Sequence, residues 1–466
     1  MTAINIAFLV AAVCFILTLQ GLSSPATARR GNAIGAIGMA VAVIAVLVFH
    51  ADVVRYEYIL GGIVLGGGVG AIMAAKIPMT KMPERIALSH AFGGLAVALV
   101  GITHYIHHDG ALEHVGMAAV GFEVLFGALT FTGSLMAFAK LQGLIAGSPI
   151  SYPGQNFFNI GLFALAFASV IYLVATADPS GGGNHAVFYL MAAVGFALGV
   201  LFVLPIGGAD MPVVISLLNS YAGLAMSATG FALDNNILII AGALDGTSGL
   251  LLSIKMSQAM NRSFTNVLFG AFGGDSSGGA TAQAGDEFYA GKIKVTTAEE
   301  LAMILEGAQS VIFVPGYGMA VSQAQHAVRD LADTLKGLGC EVRYAIHPVA
   351  GRMPGHMNVL LAEADIPYDE LLDMDEVNPL FPQTDVAIVI GANDVTNPLA
   401  KEDPKSPIAG MPILEVEKAN TVVVVKRSLA PGFAGVPNPL FTRDNCMMAF
   451  EDGKTFILHV NNAMKS

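Results

Sequence analysis

Ser310-Val311-Ile312-Phe313-Val314-Pro315-Gly316-Tyr317-Gly318-Met319-Ala320-Val321 decides the fold of the C-terminal half. Val311, Ile312, Phe313 and Val314 are β-branched or aromatic, and 310–314 reads as a strand. A helical pattern opens at Met319 and runs to about Leu338. Strand, Gly-x-Gly turn and helix form the setting in which a dinucleotide pyrophosphate rests on a helix N-terminus. Working outward, further apolar runs at 341–346, 386–390 and 421–426, and a weaker one at 456–460, alternate with helical patterns. Strands apolar throughout and separated by helices imply a parallel sheet covered on both faces, a Rossmann-like α/β domain over 290–466. Thr297-Ala298-Glu299-Glu300 is a capping box that starts its first helix. Before it, Gly270-Ala271-Phe272-Gly273-Gly274-Asp275-Ser276-Ser277-Gly278-Gly279 has the composition of a flexible connector, and 261–289 is assigned to that linker.

The nucleotide type is written at two strand ends. An NAD site usually carries an acid after the second strand, to bond the ribose 2′-hydroxyl. Here that strand ends in Tyr344-Ala345-Ile346-His347-Pro348, and the next charged residue is Arg352. Lys426-Arg427-Ser428 follows the 421–425 run, and two cations with a hydroxyl suit a 2′-phosphate. A solvated surface pair would have the same sequence; the missing acid tips the reading to NADP(H).

Ahead of this domain, 1–260 reads as membrane. Of the 466 residues 54% are hydrophobic and 12% charged, against about 25% charged in a soluble domain. Apolar stretches of about 20 residues, enough to cross a bilayer, recur about nine times. The spans are 3–21, 31–50, 57–77, 83–106, 116–140, 156–176, 184–205, 208–230 and 233–256. Arg29, Arg30, Lys76, Lys81, Arg85, Lys140, Lys255 and Arg262 share the side of the C-terminal domain, and only Arg55 falls clearly on the other. The positive-inside rule then puts that domain in the cytoplasm and the N-terminus outside. With a net charge of −12 and no long basic run, a nucleic-acid partner is not expected. Cys14, Cys340 and Cys446 are too far apart for a metal or disulfide framework.

Ionisable residues within spans are costly and are functional candidates. His90 could load and unload a proton, or be a structural histidine bonded to a neighbouring helix. Ser216, Asn219, Ser220, Gly223 and Ser227 form one polar stripe that lines a wet path or knits helices together. Asp210 stands at the entrance to that helix, or is a plain N-cap before Pro212. Gly62, Gly66 and Gly70 form a ridge suited to close helix packing. Glu123 and Asp245 also fall within the apolar stretches.

At this point the residues carry a resemblance over essentially the whole chain. Gly208-Ala209-Asp210-Met211-Pro212-Val213-Val214, Met260-Asn261-Arg262-Ser263-Phe264, the run from Ile346 to Val359, Gly391-Ala392-Asn393-Asp394, the run from Asp403 to Pro412 and Lys426-Arg427-Ser428 are long and in order. The chain resembles the beta subunits of proton-translocating NAD(P) transhydrogenases. That resemblance implies hydride transfer between NADH and NADP⁺ coupled to proton flow, with NADP(H) on this chain and NAD(H) on a separate alpha subunit. It implies a dimer of alpha-beta units in a bacterial inner membrane, with the N-terminus periplasmic.

By the same resemblance, the residues around NADP(H) are Gly316, Tyr317, Gly318 and Val321; Val349, Ala350, Gly351, Arg352, Met353 and Pro354; Gly391, Ala392, Asn393, Asp394 and Val395; Gly410 and Met411; Lys426, Arg427, Ser428 and Phe433; and Asp452 and Gly453. Arg352 and Asp394 would lie near the nicotinamide end. His90 and Asn219 match positions of proton passage, and Asp210 the link to the nucleotide domain. Two residues depart from the family: Phe433 stands where it has a tyrosine, and Asp245 where an uncharged residue is expected. The rival reading is a transporter or channel with a regulatory nucleotide-binding domain. It requires a recognisable filter, and Thr-Val-Gly-Tyr-Gly is absent.

Overall fold

The computed structural model describes residues 3–49, 55–77, 81–145, 150, 152–207, 210–260, 264, 288–289, 291–352, 355–404, 406, 408–432 and 434–465. Most of the expected linker 261–289 therefore lies outside the described residues, as do Met353, Pro354 and Phe433. The chain divides into two compact units.

In the first unit, nine helices among the described residues are long and apolar enough to cross a membrane. They are α1 Ala3–Leu22, α2 Pro25–Phe49, α3 Tyr56–Lys76, α4 Met82–His107, α5 His114–Leu141, α6 Gln155–Ala175, α7 His185–Val203, α8 Met211–Ala232 and α9 Asn236–Ala259. Helices associate in lipid by close backbone approach at small residues. Gly94 of α4 lies against α5, where a methyl would come 2.9 Å from the Gly127 carbonyl oxygen. Gly195 and Gly199 of α7 meet α5 in the same way. The result is a core in which α5 and α8 are the most buried helices. Lys140, placed above on the side of the C-terminal domain, is buried, and its ammonium donates to the carbonyls of Leu204 (2.5 Å) and Ile206 (2.8 Å) just beyond α7. A cation there satisfies carbonyls left open at a helix C-terminus. The ridge of Gly62, Gly66 and Gly70 meets nothing within 4 Å among the described residues, and α3 has no buried residue there.

The second unit is a six-stranded parallel sheet of order β3-β2-β1-β4-β5-β6. The strands are β1 Ser310–Pro315, β2 Glu341–Ile346, β3 Leu371–Asp373, β4 Val386–Ile390, β5 Thr421–Val425 and β6 Cys446–Ala449. The main helices are α10 Ala298–Glu306, α11 Tyr317–Ser322, α12 Gln325–Gly337, α13 His356–Glu363 and α14 Gly453–Ala463. Two apolar layers cover the sheet: one joins Val311, Phe313, Leu331 and Ile457, the other Ile312, Val314, Phe381 and Phe441. Strand order reverses between β1 and β4, so crossovers leave in opposite directions there and open a crevice at the carboxyl ends. The Thr297–Glu300 capping box forms as expected.

Two expectations are corrected. The run 456–460 is no strand but lies within α14, capped by Asp452, whose carboxylate accepts the N–H groups of Lys454 (3.1 Å) and Thr455 (3.3 Å). Phe456, Ile457 and Val460 are its buried face, a helical spacing. The helical pattern from Met319 to Leu338 is two helices, because Gln323 adopts φ +52° and breaks it.

Candidate functional site

The carboxyl ends of β4, β5 and β6 surround a cavity of about 290 Å³. Gly318, Val321, Gly391, Ala392, Asn393, Lys426, Arg427, Ser428, Asp452 and Gly453, all singled out from sequence, line it. Ser322, Ile390, Val425, Ala430 and Glu451 line it too and were not anticipated. Ile390 and Val425 were legible in hindsight as the last residues of strands.

The turn after β1 is locked to the turn after β4. The N–H of Gly316 donates to the Ile390 carbonyl (2.9 Å) and that of Gly318 to the Gly391 carbonyl (3.0 Å). Both N–H groups are thereby used, so these glycines serve close backbone approach. A Cβ on Gly391, which sits at φ +64°, would overlap the Gly318 backbone. The cavity consequently opens on the β4–β5–β6 side of the reversal point.

Lys426 is half-buried at the end of β5, while Arg427 and Ser428 are exposed at the mouth. The Lys426 ammonium donates to the Ala430 carbonyl at 2.6 Å, folding the following strap over the crevice. Burial pulls the Lys426 ammonium below the usual lysine range; Asp394 opposes that shift and Arg427 adds to it. The nearby acids are engaged elsewhere: Glu451 pairs with His459 (3.2 Å) and Asp452 caps α14. A dianionic phosphate at this mouth would relieve the repulsion between the two cations and draw the lysine back toward its usual range, so the residues fit a 2′-phosphate.

The other expected residues gather along the same edge. The guanidinium of Arg352 lies 4.3 Å from the centroid of the Tyr317 ring, a cation–π contact. The Arg352 N–H donates to His356 Nδ1 (3.0 Å), and Gly351 takes φ +110° beside that ring. His347 accepts from the Val349 N–H (3.2 Å) and donates from Nε2 to the Pro412 carbonyl (2.8 Å). Burial drives both imidazoles down to about 4, so both are neutral; Arg352 adds to the effect at His356, and the Pro412 carbonyl opposes it at His347. Asp394 accepts from the Ala434 N–H at 3.0 Å and lies against Gly432, anchoring the far end of the strap. Asn393 is held through its carbonyl and side-chain oxygens by Asn438 (3.1 and 3.0 Å). Ala350 and Val395 are buried beneath the loops, and Val349 packs on the same layer as Val395. Met411 packs against Ala434 and Val436, next to Gly410 at φ +73°.

A second cluster lies among α4, α5, α8 and α9. His90 Nδ1, Thr130 Oγ1 and Ser134 Oγ are buried and make no hydrogen bond to another described residue. Buried polar atoms without partners are costly and mark a candidate site. The polar stripe of α8 faces α9: Ser220 donates to the Gly246 carbonyl (2.7 Å), Ser227 to the Ile239 carbonyl (3.2 Å), and Asn219 to the Asp245 carboxylate (3.2 Å). At these three positions it knits two helices together. Asp210 occupies the N-cap position of α8 and makes no side-chain capping bond there. Glu123 is fully buried in α5 and lies against Gly101.

The family model for the NAD(P) transhydrogenase beta subunit matches residues 4–463. Two curated relatives, both named NAD(P) transhydrogenase subunit beta and both from Rhodospirillum rubrum, are each 49% identical over 465 residues, covering 98% of either chain.

Proposed function

Because the chain belongs to the NAD(P) transhydrogenase beta subunit family, we propose that it couples hydride transfer between NADH and NADP⁺ to proton movement across a membrane. It is one component of an enzyme handling nicotinamide nucleotides and, as a beta subunit, has an alpha counterpart. In this reading residues 1–260 carry protons, 261–289 connect, and 290–466 hold NADP(H). NAD(H) is held by the alpha subunit, and two alpha-beta units pair in a bacterial inner membrane, with the C-terminal domain cytoplasmic and the N-terminus periplasmic.

The single observation that supports this reading best is the pair of cations, Lys426 and Arg427, at the mouth of the crevice, together with the absence of an acid at the end of β2. Lys426, Arg427 and Ser428 bind the 2′-phosphate; the strap held by Lys426 and Asp394 covers the nucleotide and excludes water. Tyr317 and Arg352 position the opposite end. When bound, the nicotinamide supplies hydride chemistry that needs no acid or base from the protein. What the chain contributes is placement of two rings and control of when they meet. His90 takes up and releases the proton, Asn219 orients it, and Asp210 relays the change toward the nucleotide domain. Proton binding and NADP(H) binding are then reciprocally linked: whatever protonation does to nucleotide affinity, nucleotide does to proton affinity.

The test is a reconstituted alpha–beta enzyme in sealed vesicles, given NADH and NADP⁺. The proposal expects NADPH formation accompanied by movement of protons across the vesicle membrane, both lost together in His90→Ala. Hydride transfer with no proton movement in the parent enzyme would overturn it.

A further inference from the structure

α8 and α9 touch backbone to backbone. A methyl on Gly249 would come 2.8 Å from the Ser220 nitrogen, and methyls on Gly223 and Gly242 would overlap Gly246 and Ser227. Such contact brings the residues flanking those glycines face to face. Asp245, beside Gly246, is half-buried and accepts the Asn219 side-chain N–H at 3.2 Å. That amide is the one side-chain partner recorded for it among the described residues. The titratable groups of α8 are Asp210 and Tyr221, and the nearest cation on α9 is Lys255, about 15 Å along the axis. α1 and α2, which pack on Ile237 of α9, contribute Cys14, Arg29 and Arg30. None of these neutralises Asp245. A carboxylate in an apolar bundle with no cation opposite is costly to keep charged, and such groups mark ion and proton routes.

Helix packing fixes its depth. α4 and α5 are antiparallel, with Gly94 opposite Gly127–Phe131 and Gly101 opposite Glu123. His90, one turn before Gly94, therefore lies level with the residues one turn beyond Phe131, near Ser134. A methyl on Gly133 of α5 would come 3.1 Å from the Leu218 side chain of α8, and Leu218 precedes Asn219. His90, Ser134, Asn219 and Asp245 thus share one level of the bundle.

An amide can orient a proton but cannot hold one at ordinary pH; a carboxylate can. We propose that Asp245 is a proton-carrying residue of the membrane path, charged and discharged beside Asn219 at the depth of His90. This rests on the proton-coupled reading above. In the step, the N–H bond of a protonated His90 breaks and an O–H bond forms on Asp245, directly or over water. A cation and an anion become two neutral groups, and no electrons change hands. The Asn219 N–H stabilises the carboxylate when the proton leaves.

The test uses the reconstituted alpha–beta enzyme with Asp245→Asn, Asp245→Glu and, as a control, His90→Ala. Asparagine keeps a hydrogen-bonding side chain of the same size but cannot carry a proton. The expected result is a fall in coupled turnover and proton movement of about a hundredfold, the lower end of what a positioned proton-transfer group contributes. NADPH still binds to the assembled variant, and Asp245→Glu recovers pumping with a displaced pH profile. Asp245→Asn with the parent's pumping rate and pH profile would overturn the proposal. If Asp245→Asn fails to assemble, Asp245→Glu decides: a displaced pH profile supports the proposal and an identical one overturns it. A parent enzyme that moves no protons would instead bring down the underlying reading, which separates the two failures.

Discussion

Gly391→Ala tests the architecture of the crevice directly. Gly391 combines φ +64° with a backbone neighbour, Gly318, where its Cβ would go. Left-handed backbone costs a residue with a Cβ about 1–2 kcal/mol. Forcing a methyl into packed backbone adds about 1–3 kcal/mol. The sum, about 2–5 kcal/mol, falls on the joint between the turns after β1 and β4, whose bonds from Gly316 and Gly318 would have to stretch. Gly435→Ala isolates the first contribution, since Gly435 has φ +70° but nothing within 4 Å among the described residues. Gly337→Ala, in open space at the end of α12, should be neutral or stabilising by up to about 1 kcal/mol. The assay is amide hydrogen exchange of β1, β4 and β5 in the full-length chain, read by mass spectrometry. At about 1.4 kcal/mol per decade, Gly391→Ala should lower protection of these strands about thirtyfold to several-thousandfold, and Gly435→Ala about tenfold. Equal losses in the two variants would refute the claim that the two turns are in backbone contact.

Three further outcomes follow from the same geometry. Lys426→Ala and Arg427→Ala should each weaken NADPH binding by about 1.5–3 kcal/mol, roughly tenfold to a hundredfold, and leave NADH binding unchanged by calorimetry; equal losses for both nucleotides would remove the 2′-phosphate assignment. His347 and His356 titrate near 4 when folded and near 6.5 when unfolded, so the unfolded chain binds more protons between those values. Stability of the C-terminal domain should therefore be level above pH 6.5 and fall below it by about 1.4 kcal/mol per unit for each histidine, flattening near pH 4, with His347→Asn halving the slope; a flat profile between pH 7 and 5 would contradict it. His90→Ala should abolish vesicle proton movement while NADPH affinity of the solubilised chain persists, and normal coupled pumping in that variant would strip His90 of its role.

The strands of the nucleotide domain were legible where they are β-branched. The runs 341–346 and 386–390 match β2 and β4 residue for residue, and β1 and β5 differ by one residue. β6 escaped because Cys446-Met447-Met448-Ala449 has no β-branched residue, and β3 because it is three residues long. Phe456-Ile457-Leu458 misled for the opposite reason: its β-forming side chains are overruled by the Asp452 cap and a buried face at helical spacing. Within the membrane half, hydropathy located each of the described spans, since bilayer thickness dictates length. It could not show that Lys140 turns inward to close the end of α7, because that depends on a carbonyl 64 residues away. Likewise, Asp245 had no partner in the sequence; only the α8–α9 contact supplies Asn219.

In the proposed function the crevice beyond β4, β5 and β6 takes a nucleotide with a 2′-phosphate. The most direct measurement is calorimetric titration of the solubilised full-length chain with NADPH and, separately, NADH. Two charge-assisted contacts at about 1.5–3 kcal/mol each predict NADPH binding at least a hundredfold tighter than NADH. Equal affinities, or a preference for NADH, would contradict it.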